Sequence, residues 1–142
     1  MKKIFFPVTN RVHLARQKLL FEELKKYFDF RVLSYIPQGV DMVAKALNVT
    51  GFFEEKIREL RPDLVLIRAD RFEMLPIAMI SVYMGIPIVH LEGGDISGAV
   101  DGKVRHSISH LADYHFPTNK DARERLIRMG IPSKRVWNYG SL

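Results

Sequence analysis

Acidic and basic side chains crowd two short stretches of this 142-residue chain, Asp70-Arg71-Phe72-Glu73 and His90-Leu91-Glu92-Gly93-Gly94-Asp95, and continue through Asp101 to Arg105-His106. The apolar run Leu64 to Ile67 ends just before Asp70, and the run Ile86 to Leu91 ends just before Glu92. Each acid therefore falls where a buried parallel strand would finish, and in an open α/β sheet that edge is where ligands sit. Thr9 and Arg11 close an earlier apolar run, and Thr118 and Asn119 a later one, so several elements contribute to the same edge. Such a set supplies carboxylates for general acid and base chemistry beside cations, Arg11, Arg71 and Arg105, that could hold an anionic substrate. Acids gathered closely push one another's pKa up, so one can keep a proton near neutrality while another stays ionised.

Each residue also has a plainer reading. Asp70 stands where the N-cap of the next helix belongs. Glu92 is harder to explain as scaffold, because it ends a wholly apolar strand and is followed by two glycines that permit close backbone approach. Asp95 and Asp101, on position alone, read as loop surface. His106 and His110 are four apart on one helical face, yet no Glu stands beside the first in the zinc-protease pattern and no third ligand is evident, so no metal is expected. His106, near the start of a helix leaving the acidic loop, reads as an acid, a base or a hydrogen-bond donor to substrate; His90, inside its strand, reads as a core histidine. No glycine fingerprint follows the first strand, no Walker lysine occurs, and Ser141 lacks a nucleophile elbow, so neither a nucleotide cofactor nor a serine triad is expected.

The elements that must position these residues follow from periodicity and punctuation. Strands are predicted at Lys3 to Val8, Phe30 to Ile36, Leu64 to Ile67, Ile86 to Leu91, Tyr114 to Pro117 and Val136 to Tyr139. Between them come a helix from Val12 to Phe28, a short helical stretch from Val40 to Ala46, and helices from Thr50 or Gly51 to Leu60, Glu73 to Met84, Lys103 to Ala112 and Lys120 to Met129. Gly85 and Gly130 suit the left-handed residue after a helix. Strict alternation of strand and helix predicts an α/β fold, a parallel sheet with helices on both faces, in one domain spanning residues 1–142.

Composition agrees: 47% hydrophobic and 27% charged residues suit a folded domain with a real core. The chain has no cysteine, which removes disulfides and thiolate metal sites, and no stretch long enough to span a membrane. With no signal-peptide pattern at Met1-Lys2-Lys3-Ile4, the expected compartment is the cytoplasm. The 22 basic residues outnumber 16 acidic ones, for a net charge of +6. That favours an anionic partner, but the basic residues are interleaved with acids along helix faces and no stacking platform is evident, which argues against nucleic acid.

Asp70-Arg71-Phe72-Glu73, His90 through Gly98, Asp101, Arg105-His106-Ser107-Ile108-Ser109-His110-Leu111 and Tyr139-Gly140-Ser141 together resemble the hydrolysing UDP-N-acetylglucosamine 2-epimerases, most strongly from Asp41 to Ser141. The resemblance implies a Rossmann-like domain, the N-terminal half of a two-domain GT-B enzyme, with the C-terminal nucleotide-binding half supplied by a second chain or the domain working in a homo-oligomer. It implies a UDP-sugar substrate and no cofactor. Asp70, Glu92 and Asp101 fall on the family's catalytic acids, and Arg11, Arg71, Gly93, Arg105 and His106 on substrate-binding positions. In the implied reaction UDP is eliminated and water adds to give free N-acetylmannosamine. The first loop departs from the family pattern, with Asn10 before Arg11 and Val12-His13 after it, and the stretch after the second strand is shorter. An apolar surface is expected where the second domain would dock. The other reading is a non-catalytic Rossmann-like binding or assembly subunit derived from that family.

Overall fold

Strand-length apolar runs separated by helices build a five-stranded, wholly parallel sheet, which the computed structural model shows in the order β2-β1-β3-β4-β5. The structure describes residues 1–10, 14 and 17–141. The strands are β1 (Lys3–Val8), β2 (Asp29–Ser34), β3 (Leu64–Arg68), β4 (Ile88–Leu91) and β5 (Tyr114–Phe116), and the helices are α1 (Lys18–Leu24), α2 (Met42–Leu60), α3 (Met74–Tyr83), α4 (Ala99–Leu111) and α5 (Lys120–Arg128). The chain moves outward from β1 to β2 and then crosses to β3 on the other side. The topological switch, where crossovers diverge and leave a crevice, therefore lies between the ends of β1 and β3.

Alternation along the strands sends side chains to two cores. On one face Phe5, Val65, Ile67 and Ile88 meet Val49, Phe53 and Ile57 of α2, Met74 and Ile77 of α3, and Ile108 of α4. On the other, Ile4, Phe6, Leu66, Val89 and Leu91 meet Phe21 of α1. Each such side chain contributes roughly 1.5–3 kcal/mol when fully buried. On the second face, Leu64, Leu66, Val89, Leu91 and Phe116 floor an apolar groove of about 460 Å³.

Four expectations need correction. The two helical stretches after β2 are one helix, α2, capped by Asp41, whose side chain accepts from the Ala44 N–H at 2.8 Å. Gly51 costs an exposed helix about 1 kcal/mol, and burial of Val49, Phe53 and Ile57 at helical spacing outweighs that. The helix expected from Lys103 starts at Ala99, so Asp101 belongs to its first turn and not to a loop. The sixth strand does not form. Val136 makes one parallel bridge to His115, and the Trp137 N–H donates to the His115 carbonyl at 2.9 Å. The Asn138 side chain then accepts from the Gly140 N–H at 3.1 Å, with Gly140 at φ 95°, and the turn carries the chain off the edge. Of the helix expected over 12–28, the structure gives Lys18–Leu24, and residues 12, 13, 15 and 16 lie outside the described set. No helix among the described residues is long and apolar enough to cross a membrane.

Candidate active site

β3 and β4 end side by side, with Arg68 opposite Leu91. Both strands leave the sheet through a non-glycine residue in the left-handed region, Ala69 at φ 63° and Glu92 at φ 62°. Such a conformation costs an L-residue roughly 1–2 kcal/mol and persists where neighbours over-determine it. Here the Ala69 N–H donates to the Leu91 carbonyl and the Glu92 N–H to the Phe116 carbonyl, both at 2.9 Å. The two turns break strand alternation. Continued as a strand, Glu92 would follow His90 to the helix-covered face; the turn brings it instead to the edge of the groove floored by Leu66 and Leu91.

Arginines meet the acids. Arg105 of α4 donates from Nη2 to Asp70 Oδ2 at 2.5 Å, and Ser97 donates to the same oxygen at 3.1 Å while accepting from Arg105 Nη1 at 3.1 Å. Asp70 is therefore not the cap of α3; Glu73 occupies that place. Glu92 accepts from Arg68 Nη2 at 2.8 Å. Gln17, with its amide oxygen turned toward Arg68, accepts from Nε at 2.6 Å and Nη1 at 3.1 Å. Arg71 forks onto the buried Glu73 at 2.6 and 3.0 Å and not onto Asp70. Asp101 is exposed in the first turn of α4, where the helix dipole favours an acid, and has no ion-pair partner among the described residues. No two of Asp70, Glu92 and Asp101 share a hydrogen-bonding partner among the described residues, so the expected pattern of acid against acid is replaced by acid against arginine. Arg11 lies outside the described residues.

Gly93 packs against the core: a Cβ there would stand 2.7 Å from His90 Nδ1 and 2.9 Å from Ser109 Oγ. Asp95 is not solvated loop surface. It accepts from Thr118 Oγ1 at 3.0 Å and Asn119 Nδ2 at 3.2 Å, tying the glycine loop to the start of α5, which Asn119 caps through the Ala122 N–H. His90 is fully buried and satisfied, as its place within a strand implies.

Three polar atoms at this edge are buried and lack a hydrogen-bonding partner among the described residues: Thr9 Oγ1 after β1, Arg105 Nε and His106 Nδ1. A buried polar atom without a hydrogen bond costs about 1–3 kcal/mol, and several at one strand edge offer a polar ligand donors and acceptors to pair with. Desolvation, then the positive charges of Arg105 and Arg125 and the neighbouring His110, lower the His106 pKa, so His106 presents a neutral ring there.

Sequence reasoning missed Arg68, Gln17, Ser97 and Ser109. Arg68 had a visible signal, a charge closing the apolar run of β3. Ser97 and Ser109 stood within the motifs that carry the resemblance but without a role, and Gln17 had no signal, since polar residues on helices and loops are ordinary and only their distances single them out.

A sequence profile of the family described as UDP-N-acetylglucosamine 2-epimerase matches residues 13–142. A Campylobacter jejuni relative, GDP/UDP-N,N'-diacetylbacillosamine 2-epimerase (hydrolyzing), is 37% identical across 95% of this chain and 37% of its own. The solved UDP-N-acetylglucosamine 2-epimerase from Rickettsia bellii superposes with a TM-score of 0.91 at 20% identity over 99% of this chain and 45% of that one. The Neisseria meningitidis enzyme, solved with UDP-GlcNAc bound, gives 0.87 at 18% identity over 98% and 46%. The chain thus spans less than half the length of these proteins, and the structural likeness shows the fold, that of the first half of a GT-B arrangement.

Proposed function

The chain belongs to the UDP-N-acetylglucosamine 2-epimerase family, and on that premise we propose that it forms the acid-bearing half of a hydrolysing 2-epimerase acting on a UDP-linked 2-acetamido sugar and completed by a C-terminal half. The supporting observation is the trio of buried polar atoms on Thr9, Arg105 and His106 without a partner among the described residues, at the same sheet edge as the Asp70–Arg105–Ser97 cluster.

In this reading one carboxylate removes the weakly acidic proton on carbon 2 of the sugar. The bond from carbon 1 to the diphosphate oxygen breaks and UDP departs with the electron pair, leaving a glycal. Water then adds, hydroxyl to carbon 1 and proton to the opposite face of carbon 2, and the free 2-epimer leaves. Asp70, Glu92 and Asp101 are the acids assigned to these proton transfers. Arg105, His106, Arg71, Arg11 and the Gly93 backbone contact substrate, and arginine charge stabilises the departing oxygen. The Asp70–Arg105 pair must loosen on binding, because the Asp70 oxygen that accepts from Arg105 and Ser97 has to turn to the sugar proton. The apolar groove over β3, β4 and β5 is the surface the second half covers, since parallel sheets are buried on both faces.

The non-catalytic reading draws on the same geometry: Asp70 and Glu92 are already neutralised by arginine, as a retired site would leave them. Proton NMR in deuterated water decides, with UDP-N-acetylglucosamine and UDP-N,N'-diacetylbacillosamine supplied in parallel to the chain, alone and mixed with a C-terminal half from a relative. UDP release with deuterium at carbon 2 of the free sugar, abolished in Asp70→Asn, supports the enzyme. Absence of turnover in every mixture leaves the non-catalytic module.

A further inference from the structure

Behind the acids lies a histidine that the proposed reaction does not use. His90 is completely buried in β4, and both ring nitrogens are engaged: Nε2 lies 2.8 Å from the Ala69 carbonyl oxygen and Nδ1 lies 3.0 Å from Ser109 Oγ of α4. A carbonyl oxygen only accepts, so Nε2 carries the hydrogen, and the neutral ring offers Nδ1 as acceptor to the Ser109 hydroxyl. Burial pushes the His90 pKa down to about 3, which keeps the ring neutral at physiological pH. The absence of a side chain at Gly93 leaves room for this pair.

Ala69 is the residue on which the ring acts. It precedes Asp70, sits at φ 63°, and has its N–H held by Leu91. With its carbonyl held as well, Ala69 is pinned through both of its flanking peptides, its N–H by Leu91 and its C=O by His90, and cannot relax toward the extended form that alanine prefers. Asp70 leaves that peptide toward Arg105 and Ser97. An apolar residue in place of His90 would fill the same volume and leave the Ala69 carbonyl unheld.

We propose that His90 is a positioning residue: donating from Nε2 to the Ala69 carbonyl, it locks the left-handed turn that aims Asp70 at Arg105 and Ser97, while Ser109, donating to Nδ1, steadies the ring. Its functional meaning rests on the reading of Asp70 as a reacting acid; its geometry does not.

Glutamine and asparagine separate the two ring nitrogens, since a Gln amide nitrogen reaches the place of Nε2 and an Asn amide only that of Nδ1. In the nitrogen-15-labelled chain, the Arg105 guanidinium protons report on the bridge to Asp70. His90→Asn should speed their exchange with water about tenfold, the size of one ordinary net hydrogen bond, and His90→Gln should restore the slow rate although both variants remove the ring. The His90 ring should show a protonated Nε2 and a bare Nδ1, unchanged between pH 5 and 8. An Arg105 rate unchanged in His90→Asn, an equal acceleration in both variants, or a proton on Nδ1 would overturn the assignment, because a residue that only fills the core behaves that way. If either variant fails to fold, Ser109→Ala keeps the ring and its protonated Nε2 but removes the hydroxyl that steadies it, and should speed Arg105 exchange; an unchanged rate would count against the proposal. None of these readouts needs turnover, so a chain that keeps this geometry yet binds no UDP-sugar refutes the functional reading alone.

Discussion

Arg68 and Glu92 form a nearly buried ion pair across the ends of β3 and β4, Nη2 to Oε1 at 2.8 Å, with side chains only 9% and 16% exposed. Gln17 takes the remaining guanidinium face from α1's entry. The pair thus ties the second core to the edge where ligands are expected, and each charge is compensated by the other where little water reaches.

Removing one partner should cost more than removing both. Arg68→Met leaves a carboxylate without its counter-charge and is expected to lower stability by about 3 kcal/mol, whereas Arg68→Met with Glu92→Leu should recover most of that loss. Urea unfolding midpoints at constant slope check this. A single variant as stable as the double would show that water already reaches the pair.

Asp70 and Arg105 should be coupled, and Asp101 should stand alone. A double-mutant cycle with Asp70→Asn and Arg105→Met is expected to return an interaction energy of about 1–3 kcal/mol. Asp101→Asn, exposed and without an ion-pair partner among the described residues, should change stability by less than about 0.5 kcal/mol. Loss of turnover in the Asp101 variant would then speak for chemistry and not for folding.

The glycines of the acidic loop should differ. Gly93→Ala drives a methyl group into His90 and Ser109 and should cost about 1–3 kcal/mol by overpacking. Gly98→Ala meets open space and should be tolerated within about 0.5 kcal/mol. Calorimetric midpoints of the two variants test the contrast, and equal effects would place the loop elsewhere.

Acid should destabilise the chain through two buried histidines. Burial lowers His90 to about 3 and His115 to about 4, against about 6.5 for an unfolded histidine. Above pH 6.5 neither state takes up the proton and nothing changes. Below it the unfolded chain binds protons that the folded chain refuses, so stability falls with pH by up to about 1.4 kcal/mol per unit for each histidine, down to pH 4 for His115 and pH 3 for His90. Among the described residues neither His115 nitrogen has a partner in hydrogen-bonding geometry; the Ala112 carbonyl and Asp113 favour its proton, Arg135 and His110 oppose it, and desolvation outweighs them all. His115→Leu should therefore keep or raise stability at pH 7 and halve the slope between pH 6 and 4. An unchanged slope in equilibrium unfolding would refute burial as the cause.

The parallel sheet was legible because its strands are continuous apolar runs, as burial on both faces demands, and Gly85 and Gly130 do take the left-handed conformation expected after their helices, at φ 68° and 95°. The errors fell where local and tertiary preferences compete. Thr50-Gly51 carries a local stop signal that the buried row of α2 overrides. Val136 to Tyr139 has strand-forming residues but a turn at Asn138 that limits pairing to one bridge.

By itself the sequence determined that Asp70 and Glu92 stand at strand ends, because strand length and loop position follow from local pattern. Which arginine meets which acid was decided only by the fold. Ion pairing depends on distances between residues far apart in sequence, as with Asp70 and Arg105, and on two left-handed turns at Ala69 and Glu92 that redirect the side chains after β3 and β4. No pattern in the residue types announces a positive φ at an alanine or a glutamate. Packing and hydrogen bonds from β4, β5 and His90 impose it, and those contacts exist only once the sheet has formed.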